Sequence, residues 1–581
     1  MKSKILAITL AAPSLCLAQT ADRPNVIIII TDDQGFGDLS FYGNPHVKTP
    51  VIDNFARESI RLNNFYVCPV SAPTRSSLMT GRYSLRTGVR DTYNGGAIMS
   101  TEELTMAEVL KKEGYKTGIF GKWHLGDNYP SRAIDQGFDE ALVHLGGGMG
   151  QVGDITTWFR GDSSYFDPVL WHNGREEKHS GYCSDIFAGE AARFIEENRK
   201  SPFFCYLAFN APHTPLQVPG RYYDMYKDID PASGFEKDGR PFPAMSEQDK
   251  DDARRVYAMV TNIDDNVGRI LETLDKLKLT RNTLVIFMTD NGPQQRRYIA
   301  GMRGLKGSVY RGGIRVPCFI RYPAQFKGNR EIDVNASNID ILPTVAEICQ
   351  ADLPDDRIID GKSILPLIKG NPVVWNERPL FFYWTRKYPE LYNNISLQKG
   401  NYKLVGHTDY DAEIKKFELY DTDSDPYELN NIIMNHTEIA SELKGDLERL
   451  FSDLVSSPNL VSQPRAIIGT ENENPVFLSR NDADGERGIW AQEEIYGKWR
   501  VKFTEGNYTI RFRFLNPVKA NGQIILETKP YINQKLNTDG DVTEVIMNNV
   551  HYPDMESDLV PYYLVDSRSI FPFWVEIEKI K

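Results

Sequence analysis

The sequence predicts an α/β fold: a mostly parallel sheet flanked by helices, then a small antiparallel α+β subdomain and a C-terminal β-sandwich. Three observations carry that expectation. Short runs of consecutive apolar residues recur through the first two-thirds of the chain, as in strands covered on both faces. Amphipathic helical segments alternate with these runs, the order that yields parallel sheets. Past residue 465 the pattern becomes apolar/polar alternation, which suits strands with one face on a core and the other in water.

In chain order, residues 1–18 read as a signal peptide: Lys2 and Lys4 are basic, Ile5 to Ala12 is apolar, and Cys16-Leu17-Ala18 offers a small-residue cleavage site. The segment falls short of the roughly 20 apolar residues that span a bilayer. Lipidation at Cys16 is the poorer reading, because Pro13-Ser14-Leu15 fits a lipoprotein signal badly. No later stretch is long and apolar enough to be an integral membrane segment, so the expected product is exported, periplasmic or secreted.

Buried strands are expected at Asn25 to Ile30, Thr117 to Phe120, Phe203 to Phe209, Leu284 to Thr289 and Val316 to Ile320. Val256, Val260, Ile263, Val267, Ile270 and Leu274 recur at steps of three and four and predict a long helix, with Ser246 as its cap. These elements make a catalytic domain over residues 19–374. Leu380 to Trp384, Tyr402 to Val405 and Phe417 to Tyr420 predict short antiparallel strands, followed by a helix over Glu438 to Leu454, which together make a subdomain over 375–455. Ser456 to Pro464 reads as a linker. Trp499 to Phe503, Tyr508 to Phe514 and Trp574 to Glu578 alternate as sandwich strands within 465–581, and their aromatics are expected to fill its core.

Composition narrows the function classes. With 581 residues, 41% hydrophobic and 25% charged, the chain is neither disordered nor fibrous. Acidic residues outnumber basic ones by 79 to 67 and no basic block occurs, so no nucleic-acid partner is expected. Beyond Cys16 there are five cysteines, an odd number that cannot be fully paired, so one disulfide is possible and a disulfide scaffold is not expected. Cys205, Cys318 and Cys349 lie in apolar runs, as buried thiols do, and no zinc-type spacing is present.

Four buried strands run directly into polar clusters: Thr31-Asp32-Asp33-Gln34-Gly35, Gly121-Lys122-Trp123-His124, Asn210-Ala211-Pro212-His213 and Asp290-Asn291-Gly292. Ligands of open α/β sheets bind beyond the carboxyl ends of strands, so the four clusters should converge. Asp32, Asp33, Asp290 and Asn291 are hard oxygen donors, suited to calcium or, less well, magnesium. Arg75, Lys122, Lys306, His124 and His213 add positive charge around that cation, a setting for a tetrahedral sulfate or phosphate ester.

The segment Cys68-Pro69-Val70-Ser71-Ala72-Pro73-Thr74-Arg75, continued by Leu78-Met79-Thr80-Gly81-Arg82, resembles the signature of the type I sulfatases, the arylsulfatase-like, formylglycine-dependent family, in its serine-type bacterial form. The resemblance covers roughly residues 22–455 and includes Lys306-Gly307, Gly312-Gly313-Ile314-Arg315-Val316-Pro317 and Asp340-Ile341-Leu342-Pro343-Thr344. It implies an alkaline-phosphatase-like fold, and a sulfuric ester hydrolase acting on a sulfated carbohydrate. It further implies that Ser71 is oxidised to Cα-formylglycine by a serine-type maturing enzyme, and that Asp32, Asp33, Asp290, Asn291 and the modified Ser71 hold one calcium ion. In the same resemblance Arg75 and Lys122 steady the formylglycine, and His124 is the base that releases sulfate. His213 and Lys306 face the ester oxygen, and they bind substrate together with Lys122.

Two departures stand out. Cys68 lacks the Pro and Arg at the required offsets and is a bystander. Arg311 replaces an acidic residue common in the family before the Gly-Gly pair, and is a candidate substrate contact. Tyr93, Asn94, His144, His172 and Arg303 are weaker candidates, each read first as structural. Two rival readings stay open: a phosphonate or phosphate monoester hydrolase of the same superfamily, and a catalytically dead glycan-binding protein.

Overall fold

The computed structural model describes residues 23–235, 239–371, 375, 377–386, 388–528 and 532–580. The expected signal peptide and Cys16 lie outside the described residues. Ten strands form the main sheet: β1 (Asn25–Thr31), β2 (Ile60–Leu62), β3 (Lys116–Lys122), β4 (Glu140–His144), β5 (Val169–His172), β6 (Arg175–Lys178), β7 (Phe203–Ala208), β8 (Thr283–Thr289), β9 (Cys318–Arg321) and β10 (Arg330–Ile332). Their spatial order is β10-β2-β9-β8-β1-β7-β3-β4-β5-β6.

The five central strands, β8-β1-β7-β3-β4, are all parallel. Every residue of β1, β7 and β8 is buried, which is why their sequences are unbroken apolar runs. Register decides where the polar clusters emerge. Thr31 pairs with Thr289, so Asp32 and Asp290 leave the sheet side by side. Gly121 pairs with Ala208, which brings Lys122 to the same edge.

Three features of the sheet were not expected. The strand foreseen at Val316 begins at Cys318 and runs antiparallel to β8. Strands β5 and β6 extend the other edge as antiparallel neighbours. β6 (Arg-Glu-Glu-Lys) is fully exposed, so it carries neither an apolar run nor an alternation. β2 and β10 are only three residues each, too short for a period to register.

Helices α2 (Cys183–Glu197) and α3 (Glu247–Lys276) cover one face of the sheet through Phe187, Ala191, Met259, Ile263 and Val267. Ser246 caps α3 as expected, accepting from the Asp249 N–H while the Asp249 carboxylate accepts from the Ser246 N–H. On the opposite face lies α1 (Ser71–Thr80), all ten residues of which are buried.

Downstream, Leu380–Tyr383, Ile395–Lys399, Tyr402–Gly406 and Glu418–Asp421 form a four-stranded antiparallel sheet covered by α4 (Thr437–Val455). The second of these strands was not foreseen. From Ala466 onward two packed sheets make a sandwich, one of seven strands and one of four. Trp499, Tyr508, Phe512 and Phe514 fill its interior, as expected. All five described cysteines are free thiols, so the one disulfide held possible is not formed among them. No helix among the described residues is long and apolar enough to cross a membrane.

Candidate active site

The four clusters converge, and the strand ends explain how. Asp32 and Asp33 follow β1, Lys122 closes β3, His213 lies past β7, and Asp290 and Asn291 follow β8. Ser71 is the first residue of α1, so its hydroxyl sits at a helix N-terminus, where free N–H groups favour an anion. Ser71 Oγ donates to Asp290 Oδ2 at 2.7 Å and accepts from Arg75 Nε at 2.9 Å, one helical turn on. Arg75 also donates to Asp290 Oδ2 (2.9 Å) and to the Lys122 carbonyl (3.1 Å).

The acidic residues are sorted by their neighbours. Lys122 Nζ pairs with Asp32 Oδ2 at 2.5 Å, and Lys306 Nζ with Asp33 Oδ1 at 2.7 Å. Asn291 Nδ2 donates to Asp33 Oδ1 at 2.7 Å, and the Asp33 N–H to Asp290 Oδ1 at 3.2 Å. Burial and the adjacent Asp290 carboxylate push Asp32 up to about 8. Burial is the largest single influence on Asp33 and raises it, but Lys306, His213 and Asn291 together outweigh it and take the carboxyl down to about 2. Against the same burial, Arg75 and Lys122 lower Asp290.

Asp33 and His124 both adopt left-handed backbone, at φ 61° each. Non-glycine residues are held there only by their surroundings. For Asp33 the support is Arg297, which donates to the Asp33 carbonyl at 2.9 Å and is anchored on Asp38 at 2.6 Å. Sequence reading missed this buried pair, because nothing in its spacing marks it.

The donor set fits a hard cation. Asp32 Oδ1 and Asn291 Oδ1 are buried and without a hydrogen-bond partner. Ligand atoms of Asp32, Asp33 and His213 lie within 4.8 Å of one another. Orphaned buried oxygens in a cluster of carboxylates are costly unless a cation satisfies them.

The two histidines have opposite orientations. His124 Nε2 lies 2.7 Å from the Thr92 carbonyl, which only accepts, so Nε2 carries the ring proton and Nδ1 is left bare and unpartnered. His213 Nδ1 lies 2.7 Å from the Thr214 carbonyl, which leaves its Nε2 bare, 3.7 Å from Asp33 Oδ2. Both rings are held neutral. Burial, followed by the Lys122 charge, takes His124 well below its usual range; burial, followed by Lys306, takes His213 down to about 3.

Ser71, Lys122, His124, His213 and Lys306 share one cavity of about 400 Å3, whose walls also include Thr92, Tyr93, Gln151, Trp384, Arg386 and Trp490. Of these further wall residues, all except Tyr93 were missed as site residues. Trp384 was expected only as a strand residue and Trp490 only as part of the tail.

Other expectations need correcting. Arg311 is 3% exposed and does not line this cavity. It donates to the Thr422 carbonyl (2.9 Å) and Asn64 Oδ1 (3.2 Å), so its fork is spent on joining the subdomain to the sheet. Lys122 meets Asp32 rather than Ser71. Tyr93 does reach the cavity. In line with their structural reading, Asn94 bonds the sandwich at Gly485, His172 pairs with Glu177, and Arg303 pairs with Glu418. His144 is buried at the end of β4, in register with Lys122.

Comparison with known proteins agrees with this geometry. Residues 24–351 match the family model described as Sulfatase, and residues 305–453 match that of the N-sulphoglucosamine sulphohydrolase C-terminal region. The N-acetylgalactosamine-6-O-sulfatase of Bacteroides thetaiotaomicron is 29% identical over 525 residues, covering 74% of this chain and 93% of the relative. The steryl-sulfatase of Homo sapiens is 29% identical over 451 residues, covering 63% and 73%. Among solved structures, Ps i-CgsB in complex with k-i-k-neocarrahexaose superposes with a TM-score of 0.63 at 27% identity, covering 75% of this chain and 94% of that one. Neither family model reaches the sandwich.

Proposed function

The chain belongs to the sulfatase family, as a type I sulfuric ester hydrolase, and from that premise we propose that it removes sulfate from a sulfated saccharide, with Ser71 as the precursor of formylglycine and one calcium ion held by Asp32, Asp33, Asp290, Asn291 and the modified Ser71. The observation that carries the reading is the position of Ser71: its hydroxyl lies at a buried helix N-terminus, gripped by Arg75 and Asp290, and opens on a cavity lined by Lys122, His213 and Lys306. Relatives acting on sulfated amino sugars support the saccharide class.

When present, the metal supplies positive charge and the aldehyde hydrate supplies a nucleophile that a serine hydroxyl lacks. The chain's own residues do the rest. Arg75 fixes the residue 71 side chain, and Lys122 and Lys306 add charge for a sulfate group. His124, bare at Nδ1, is placed to take a proton. Lys306, whose ammonium is strengthened by Asp33 against the pull of burial, is placed to give one to the departing alcohol. His213 Nε2 is an acceptor in this tautomer, so of the pair assigned to the leaving group Lys306 is the donor.

In the same proposal residues 19–374 are the catalytic domain, 375–455 its subdomain and 465–581 an accessory sandwich. The protein is exported by its N-terminal segment and matured by a serine-type partner. Sulfate release from defined sugar sulfates, with and without calcium, tests the reading, with phosphonate and phosphate monoesters assayed in parallel. Calcium-dependent sulfate release that exceeds phosphonate turnover is expected. Faster phosphonate hydrolysis, or no turnover of any ester, would overturn it.

A further inference from the structure

The sandwich lies outside both matched family regions, yet it reaches the reaction cavity through one side chain. Trp490 is carried on a turn whose geometry is fixed from within its own domain. The buried Arg480 donates to the carbonyls of Ile489 (3.0 Å) and Gln492 (2.8 Å), on either side of it. Trp490 packs against Tyr93 of the catalytic domain, with ring centroids 5.2 Å apart and planes 37° apart.

The far side of the same rim comes from the subdomain. The Arg386 guanidinium lies 4.8 Å over the Tyr93 ring and 4.9 Å over the Trp384 ring, and its Nη1 is 3.3 Å from Asp91 Oδ1. The Trp384 indole N–H donates to that same oxygen at 3.1 Å. Three parts of the chain therefore meet around Tyr93. The loop that carries it is clamped to the sandwich by Asn94, which exchanges hydrogen bonds with Gly485 at 2.8 and 3.3 Å.

We propose that Trp490 is a specificity-determining residue: with Tyr93 it forms an aromatic wall on which the pyranose ring bearing the sulfate ester lies, so that the appended sandwich completes the substrate site. This rests on the saccharide reading above. The chemistry favours a sugar ring because the Trp490 and Tyr93 rings offer apolar surface beside polar groups, with Gln151, Thr92 and Arg386 available to hydroxyls. A pyranose has that same division, an apolar C–H face and a hydroxyl edge. The cavity, about 400 Å3, is within the range of roughly 300–1,000 Å3 usual for small-ligand sites.

The test uses the full-length matured enzyme and its Trp490→Leu and Trp490→Phe variants, assayed on the sugar sulfate that the wild type hydrolyses best. Inorganic sulfate, as a competitive inhibitor, reports on the anion pocket alone. Leu keeps apolar bulk against Tyr93 but removes the flat face; Phe retains it. The Leu variant should raise KM about tenfold, the size of one aromatic contact, with kcat and inhibition by sulfate little changed. The Phe variant should stay close to wild type. Unchanged KM in the Leu variant, or an equal loss of sulfate affinity, would overturn the proposal. A wild type that hydrolyses aryl or steroid sulfates and no sugar sulfate overturns the saccharide reading along with it, whereas an unaffected variant of an active sugar sulfatase overturns this inference alone. Should the Leu variant fail to fold, fluorotryptophan-labelled Ser71→Ala protein still decides: sugar sulfate should shift the Trp490 fluorine resonance and inorganic sulfate should not. An unmoved resonance sinks the idea.

Discussion

At Ser71 the hydroxyl proton points to Asp290 Oδ2, an oxygen already held by Arg75 at 2.9 Å. A carboxylate engaged in that way and lowered by Arg75 is a poor base, so an unmodified Ser71 has no partner to activate it. Active protein should therefore carry residue 71 lighter by two hydrogens, read from the tryptic peptide Leu62 to Arg75, with Cys68 an unchanged thiol. Full activity from unmodified Ser71 would rule the mechanism out. Burial pushes the Cys68 thiol up to about 11, which suits its role as a bystander. The histidine tautomers separate two further roles. Lys306→Ala should lose about ten- to a hundredfold more activity on an alkyl sugar sulfate than on nitrophenyl sulfate, whose leaving group needs little protonation. His213→Ala should lose similar amounts on both. Equal losses for Lys306→Ala would mean that Lys306 only binds.

Elements place these residues by close approach of backbone. Gly292 follows Asn291, and a Cβ there would meet the Gly312 carbonyl oxygen at 1.9 Å. Gly292 N–H donates to the Gly313 carbonyl at 2.9 Å, which ties the loop after β8 to the Gly-Gly turn. Gly292→Ala should therefore displace Asn291 and destabilise the fold by about 1–3 kcal/mol, read by thermal melting, together with weaker calcium binding read by titration calorimetry. Wild-type calcium affinity in that variant would show that the loop yields without moving its ligand. By comparison the Ser246 cap of α3 is remote from the site; Ser246→Ala should lower stability by about 1 kcal/mol and leave turnover intact.

Over the whole molecule, one of the contacts holding the sandwich to the catalytic domain is an acidic pair, buried Asp127 and half-buried Asp482. Asp127 accepts from Ser479 Oγ at 2.8 Å, and its N–H donates to Asp482 Oδ2 at 2.8 Å. Burial, then the neighbouring Asp482 and Asp154 carboxylates, hold Asp127 well above its usual range, and burial takes Asp482 up to about 6. A carboxyl raised on folding binds more protons folded than unfolded. Its folded state is best off at low pH and loses stability as pH rises from about 4 through the folded value. Docking of the sandwich should accordingly weaken as pH rises from about 4 through about 6 and beyond, seen as a falling melting temperature, and Asp127→Asn should flatten that slope. A slope unchanged in the variant would remove the pair as its source.

What the sequence determined by itself was the part written in local pattern. Consecutive apolar residues in β1, β7 and β8 exist because helices cover both faces of those strands, so the strands and the polar clusters at their ends could be found without coordinates. The segment from Ser71 to Arg75 was legible through its resemblance to the sulfatase signature, and in the structure one helical turn sets the Arg75 Nε–H on the Ser71 hydroxyl. Only the tertiary structure could decide what depends on residues far apart in the chain. Arg311 has the chemistry of a substrate contact, and is removed from that role by Thr422 and Asn64, more than a hundred residues away on either side. Trp490 lies in the tail, in no motif that marks a site, and becomes a wall of the cavity because its domain docks on Tyr93. A side chain's partners across domains leave no period and no spacing in the sequence, since only the packing of the finished sheets brings them together.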